Sequence, residues 1–497
     1  MNKINFNNRL VHLSIIVVCI LAIYIHLGPR LNLYDCLKYF EAALSFNKDC
    51  AFTNQNTFSG RLTFLPLSIG IKLFGTNLYA VTIPGLVISL AIAYSIYLNI
   101  KNRTIGLIIA MASVISLTFI EMTIEPNADV YTLGFQIFSL HLMHKFSLNR
   151  KSVYLIFSAL CILMALLFKL SAVYAFAILI IYCFHLKVNK LQAITLLSIL
   201  LIFIAVSGLY YQFFFDDPLF RFNVIQREHN VSSYSYYDKS WIAIIKRITI
   251  VPFMIFGERL EFSILFAFFI SLIVKLKKEL LNNFWILSCT LAIILHWFGS
   301  TSFTAYNPLP PITRMWLVPM FLLAISVGVN YKKIDFRVSS IVLVLVAIIS
   351  INHVSVGRTL LAIFVAIGLF LFRKNLRQVR IASLSFLPVI SLIGSFNLLN
   401  NKYYSFSDGL EWLALNEGNK AKMIVIEKGR NITRKETLSQ FYKFQLKKCG
   451  SVEKNKETFY VINVKHEAPE MSILPADDES ISVKIFENKY ITISKFN

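Results

Sequence analysis

KNRTIGLIIAMASVISLTFIEMTIEPNADVYTLGFQIFSLHLMHKFSLNRK, residues 101–151, holds two apolar runs with bases at the outer edges and acids between them. Lys101 and Arg103 precede the first run, and Lys145, Arg150 and Lys151 follow the second. Glu121, Glu125 and Asp129 occupy the turn in the middle. Lys and Arg beside a membrane span stay in the cytoplasm, so the stretch reads as an out-going and a returning span joined by an acidic outer turn.

The pattern extends in both directions. Lys187 and Lys190, Lys275, Lys277 and Lys278, Lys332, Lys333 and Arg337, then Arg373, Lys374, Arg377 and Arg380 mark further basic loops. Composition agrees: 56% of residues are hydrophobic, 15% are charged and mean hydropathy is +0.63, which does not suit a soluble globular protein. The net charge of +22 lies largely in those loops, so it orients the chain and sets aside a nucleic-acid partner.

A span needs about 20 apolar residues, fewer where neighbours bury its ends. Runs of this kind fall at about 10–28, 78–100, 105–121, 130–146, 152–168, 171–186, 191–214, 260–275, 284–299, 314–330, 338–352, 358–372 and 381–398. The expectation is an all-α polytopic membrane protein with about 13 transmembrane helices, residues 1–398. With Lys3 and Arg9 cytoplasmic, every basic loop is cytoplasmic and residues 399–497 are extracytoplasmic. The first run has no A-x-A-like cleavage site and reads as a retained anchor. Cys19, Cys161, Cys183 and Cys289 fall in spans as small apolar residues. Cys36, Cys50 and Cys449 fall outside, where a Cys36–Cys50 bridge and free thiols are both open.

Three stretches are not simple spans. In the outer loop 29–77, Leu37, Phe40 and Leu44 recur at helical spacing, so one face can lie on the membrane. A second apolar segment, Leu62 to Phe74, is too short to cross and is read as another interfacial helix. Loop 215–259 is either a substrate loop or a solvated connector. Its apolar piece 241–256 would break the charge alternation as a span, so it reads as a buried or interfacial helix. The tail 399–497 suggests a small α/β domain: helices at 408–416 and 433–448, strands at 423–427 and 459–464, and a hairpin around Asn488-Lys489.

Ionisable groups at membrane depth are costly and face a cavity or a partner. Asp35 and Asp129 fall on the same side, where two carboxylates could serve as general base and as an orienting or metal-holding group. Asp129 could equally cap its helix. Arg61 and Lys169 are cations on this side, although a lone Lys can also snorkel to the interface. Arg314 suits a phosphate by its planar fork, or anchors the interface together with Trp316.

In order, Asp35, Tyr39, Glu41-Ala42, Asp49, Gly60-Arg61-Leu62, Leu73-Phe74-Gly75, Ile83-Pro84, Asp129, Phe168-Lys169, Glu228-His229, and Arg314 with Pro319 resemble the motifs of polytopic GT-C glycosyltransferases. The type is that of protein mannosyltransferases and aminoarabinose transferases, and the resemblance covers roughly residues 10–330. The chain departs from it at Asp35-Cys36, where relatives carry two adjacent acids, at Gly60-Arg61-Leu62, where Lys-Pro-Pro is common, and at Thr82, where the family has Arg.

The resemblance implies sugar transfer from a polyprenyl-phosphate-linked donor to a lipid, glycan or protein acceptor on the outer face of the cytoplasmic membrane. It implies inversion with Asp35 as base, and Asp129 orienting the acceptor or, with Asp35, holding a divalent cation such as Mg or Mn. Glu41, Arg61, Lys169, Glu228, His229 and Arg314 would contact donor phosphate or substrate. A lipid-linked-sugar flippase or transporter should show internal repeats, which are not evident. An O-antigen polymerase or ligase would carry its main polar loop late in the chain.

Overall fold

The computed structural model describes residues 3–28, 35–49, 62–76, 78–224, 236, 239–300, 308–309, 313–351, 356–371 and 376–400, with six strands between 422 and 496. Helices occupy each of the thirteen apolar runs. The first ten helices are α1 (Lys3–Leu27), α2 (Asp35–Asp49), α3 (Phe64–Phe74), α4 (Leu78–Asn99), α5 (Arg103–Ile115), α6 (Leu117–Ile124), α7 (Ala128–Asn149), α8 (Ser152–Phe168), α9 (Val173–His185) and α10 (Lys190–Phe215). They are followed by α11 (Trp241–Thr249), α12 (Val251–Glu258), α13 (Leu260–Leu276), α14 (Phe284–Phe298), α15 (Leu317–Asn330), α16 (Phe336–Ser350), α17 (Val356–Leu371) and α18 (Leu376–Asn400).

Among the described residues four helices are long and apolar enough to cross a membrane: Arg9–Leu27, Tyr79–Asn99, Lys190–Phe215 and Thr313–Lys333. A fifth crossing is available if α5 and α6 count as one span. The chain is thus a multipass membrane protein. The run expected as a single span over 105–121 is broken, since α5 and α6 meet at 65°. Ser116 makes the break. Its ψ is 138°, its hydroxyl donates to the Ser113 carbonyl at 2.8 Å, and the N–H groups of Phe119 and Ile120 both bond the Ser116 carbonyl at 3.0 Å. A serine that bonds its own backbone offers an alternative to the helical ladder.

The charge pattern becomes an arrangement in space. Asn102 donates to the Tyr331 hydroxyl at 3.0 Å, Lys333 pairs with Glu279 at 3.0 Å, and Arg150 donates to the Leu186 carbonyl at 2.8 Å. The Tyr182 hydroxyl, donating to the Phe284 carbonyl at 2.6 Å, links these loops. The basic loops therefore gather at one end of the bundle. At the other end the Leu62 N–H bonds the Leu167 carbonyl at 3.2 Å, Thr313 donates to Glu258, and Arg358 donates to the Glu258 carbonyl at 3.0 Å.

Lipid tails are as apolar as leucine, so close packing and hydrogen bonds between helices must do what the hydrophobic effect does in water. Ser139 and Ser158 join α7 to α8 at 3.0 Å, Ser326 donates to the Trp285 carbonyl at 2.8 Å, and Ser391 and Ser395 tie α18 to the carbonyls of Ala112 and Ile115. Trp285 and Trp316 are fully buried in the core.

The loop 29–77 corrects one expectation. Its two segments are helices, but of the expected apolar stripe Phe40 is completely buried, along with Tyr39 and Ala43, and so packs on protein, while Leu44 is only partly buried. The cause is α3. The Phe46 and Phe64 rings lie 4.9 Å apart, Asn47 donates to the Ser68 carbonyl at 3.2 Å, and Ser68 donates back to Ala43 at 3.4 Å. Piece 241–256 forms α11 and α12, each too short to cross. Trp241 and Ile242 on α11 are 78% exposed while Arg247 is buried, an apolar face turned outward as at a membrane interface.

In the tail the strands are β1 (Lys422–Glu427), β2 (Arg430–Asn431), β3 (Gln445–Lys447), β4 (Phe459–Val464), β5 (Ser482–Glu487) and β6 (Ile491–Phe496). They form one sheet in the order β2-β1-β4-β6-β5, with β3 also on β1. The β1–β4 pair is parallel and β5–β6 is the expected hairpin. Gln445–Lys447 is a strand where the sequence suggests the end of a helix, because it pairs in parallel with Lys422–Ile424. The expected helix 408–416, the rest of 433–448 and the Cys36–Cys50 pairing lie outside the described residues.

Gly70 lets α3 approach α4, since a Cβ there would sit 1.9 Å from the Ala80 carbonyl oxygen, whereas one at Gly368 would meet nothing within 4 Å. Gly70→Ala should lower the melting temperature of detergent-solubilised protein, with overpacking costing about 1–3 kcal/mol. Gly368→Ala, within the last turn of α17, should be neutral or slightly stabilising.

Candidate active site

The site begins where α7 begins. Asn127 is its N-cap, with extended backbone and a side-chain oxygen accepting from the Asp129 N–H at 3.0 Å. Capping by Asn127 satisfies the first turn and leaves the Asp129 carboxylate free for another partner. That partner is Lys169, whose ammonium forms an ion pair with Asp129 Oδ1. Lys169 stands at the break between α8 and the 3₁₀ turn Leu170–Ala172, with φ −153°. Its Nζ also lies 3.0 Å from Met315 Sδ, on the turn Thr313–Trp316 that leads into α15.

Only 13% and 8% of the Lys169 and Asp129 side chains are exposed, so this pair is buried. Snorkelling of Lys169 and capping by Asp129 are both set aside by this geometry. One contact ties the start of α7, the end of α8 and the approach to α15.

These residues open onto a cleft. Asp129, Thr132, Leu133 and Gln136 line it from α7, His296 from α14, and Ser171, Arg314, Met315, Leu317 and Val318 from the turns and α15. The space it encloses is small, about 20 Å³ at the positions a water can centre on, and the rest of the opening merges with solvent. Asp129, Thr132 and Gln136 follow at helical spacing and so share one face of α7. Gln136 is 1% exposed, and its buried Oε1 has no hydrogen-bond partner among the described residues. His296 Nδ1 lies 2.7 Å from the Ala292 carbonyl oxygen. A carbonyl only accepts, so Nδ1 carries the proton and Nε2 of the neutral ring is an acceptor.

Behind the cleft lies Arg247, fully buried on α11. It donates to the carbonyls of His296 at 3.4 Å and Leu309 at 3.2 Å, and its guanidinium is 5.8 Å from the centre of the Trp316 ring. The membrane-facing helix thereby holds the backbone of a cleft residue.

Of the residues singled out by sequence, Asp129 and Arg314 line this cleft, and Lys169 contacts its wall at Asp129 and Met315. Asp35 and Glu41 lie on α2, and their side chains are outside the description. Arg61, Glu228 and His229 lie outside the described residues. Through α3, α2 is tethered near the site, because Leu62 bonds Leu167, two residues before Lys169. Among the described residues no group of three or more His, Cys, Asp and Glu is placed to hold a metal. Asp129, one of the two carboxylates named for a metal, has one oxygen on the Lys169 ammonium, and the side chain of the other, Asp35, lies outside the description.

Gln136, His296 and Arg247 do not stand out in the sequence reading. A signal for the first two existed: each is a polar side chain inside an apolar run, which marks a cavity or a partner.

No protein-family model matches the chain, and no curated protein matches it. Solved structures do share its fold. ArnT from Cupriavidus metallidurans bound to undecaprenyl phosphate superposes with a TM-score of 0.58 at 13% identity, over 97% of each chain. ArnT from the same organism in the apo state gives 0.56 at 12% identity, over 99% of this chain and 98% of that one. The fold is therefore that of the GT-C glycosyltransferases, shared over essentially the whole length.

Breaking a buried pair leaves one charge without compensation, at a cost of about 3–5 kcal/mol. Lys169→Met should therefore lower thermal stability strongly. Adding Asp129→Asn should restore part of the loss, and a double-mutant cycle on melting temperatures measures the coupling.

Proposed function

We propose that this chain is an integral-membrane glycosyltransferase moving a sugar from a polyprenyl-phosphate-linked donor to an acceptor on the extracytoplasmic face of the cytoplasmic membrane. The observation that carries this reading is the cleft at the acid-bearing end, where the buried Asp129–Lys169 pair lies with Arg314 in a GT-C fold. The undecaprenyl phosphate bound to the ArnT neighbour supports a polyprenyl-phosphate donor here.

In this reading the Asp35 carboxylate takes the proton from an acceptor hydroxyl as that oxygen attacks the anomeric carbon. The bond from the anomeric carbon to the phosphate oxygen breaks, and polyprenyl phosphate leaves with the electron pair, inverting the configuration. Negative charge grows on the phosphate, so preorganised donors there act mainly in the transition state. Arg314, with a planar fork suited to phosphate, is the described residue best fitted for this; Arg61, Glu228 and His229 would complete the surroundings. Asp129 holds Lys169 in place and makes it a rigid neighbour of the leaving group instead of a roaming charge. Glu41, six residues beyond Asp35 on α2, would orient the acceptor.

The reading places the N-terminus in the cytoplasm, thirteen spans in the membrane and the tail domain outside. A positioned base contributes about 10²–10⁴-fold. Asp35→Asn should thus lower transfer from a polyprenyl-phosphate sugar by that factor at unchanged expression; near-normal turnover removes Asp35 as the base. Orientation is checked separately with a membrane-impermeant thiol reagent on intact cells, in a chain stripped of its own cysteines. Leu219→Cys should react, and Lys278→Cys should react only after permeabilisation; the reverse pattern inverts the topology.

A further inference from the structure

We propose that Gln136 Oε1 and His296 Nε2 form a pair of fixed acceptors in the cleft that reads the hydroxyl or amino hydrogens of the transferred sugar, and so decides which sugar is accepted. The inference rests on the proposed glycosyltransferase reading and assigns a recognition role to two residues the reaction scheme does not use.

Four observations converge. The Gln136 side chain is almost wholly buried, yet its oxygen has no partner among the described residues, and the residue lines the cleft. Buried polar groups in folded proteins are nearly always satisfied, so one left open on a cleft wall is matched to something that enters. His296 lines the same cleft, and the bond from Nδ1 to Ala292 leaves its other nitrogen as an acceptor. Both residues stand on framework helices: Gln136 lies within α7, and the His296 carbonyl accepts from the buried Arg247.

Location selects the sugar from among the ligand's parts. Arg314 lines the same cleft, and a sugar bonded directly to the phosphate that Arg314 suits must lie within a few ångströms of it. Two neutral acceptors are of no use to a phosphate, which brings acceptors of its own, but they match the O–H or N–H donors of a sugar ring. Leu133, Leu317 and Val318 complete the wall. A site built to bond a substrate hydroxyl rejects the analogue lacking it far more strongly than an apolar pocket rejects an extra group.

The experiment uses the purified full-length protein and three probes: polyprenyl phosphate without sugar, the polyprenyl-phosphate hexose that supports the best transfer, and its set of monodeoxy derivatives. Wild type should prefer the complete hexose over at least one monodeoxy donor by about 10²-fold or more in kcat/KM. Gln136→Met, close in volume but without the oxygen, should shrink that preference at least tenfold, chiefly through KM, while sugar-free polyprenyl phosphate still binds as in wild type. His296→Phe should do the same for its own hydroxyl or amine. Unchanged discrimination in both variants overturns the proposal. So does equal loss of the sugar-free lipid in both, which would mark a purely structural role. Failure of wild type to bind any of the lipids would instead strike the glycosyltransferase reading itself, and this inference with it.

Discussion

Asp129 and Lys169 would each be costly alone at the edge of a bilayer, and the protein holds them against one another with little access to water. Much of the acid-bearing end follows from that constraint. Asn127, two residues earlier, caps α7 and leaves the Asp129 carboxylate to face the lysine. It requires α8 to stop at Phe168 so that Lys169 can adopt an extended backbone and turn inward. Through the contact with Met315 it fixes the turn that carries Arg314. Leu62 bonds Leu167 just before the lysine, so the outer helices α2 and α3 hang from the same point. A single electrostatic contact thus sets the relative placement of elements far apart in the sequence.

The bundle around it is assembled by means suited to lipid. Serines bridge α7 to α8 and α18 to α5, and glycine at position 70 lets α3 and α4 touch through their backbones. The break at Ser116 swings α6 away from α5, carrying Glu121 and Glu125 toward the acid-bearing end. Beside these, α11 turns tryptophan and isoleucine outward and a buried arginine inward, so a helix with an apolar outer face bears directly on the wall of the cleft.

Hydropathy and charge made the helices legible, and α8 begins and ends where its apolar run does. The grouping of basic loops at one end was legible too, because the positive-inside rule acts on short loops that the sequence displays openly. What the sequence hid was anything decided by packing. Phe40, expected on an outward apolar face, is buried, and its helix packs through Phe46, Asn47 and Ala43 on Phe64 and Ser68 of a helix some twenty residues on, a contact that periodicity cannot reveal. Ser116 carries no breaker signal as strong as proline. Gln136 and His296 were visible only as polar letters inside apolar runs, and their shared cleft depends on α7 and α14 meeting in three dimensions. Asp129, Lys169 and Arg314 were found because isolated charges are rare in such a chain; that the first two pair with each other was not foreseen.

The central claim is that the acid-bearing cleft receives a polyprenyl phosphate by way of its cations. Native mass spectrometry of the detergent-solubilised protein with added undecaprenyl phosphate tests it most directly, with an uncharged polyprenol of equal length as control. The account predicts that wild type retains the phosphate in preference to the alcohol, and that Arg314→Gln, which adds no charge beside Asp129, abolishes this preference while the uncharged alcohol is retained as by wild type. Equal retention of the two lipids by wild type, or an undiminished preference in Arg314→Gln, would contradict it.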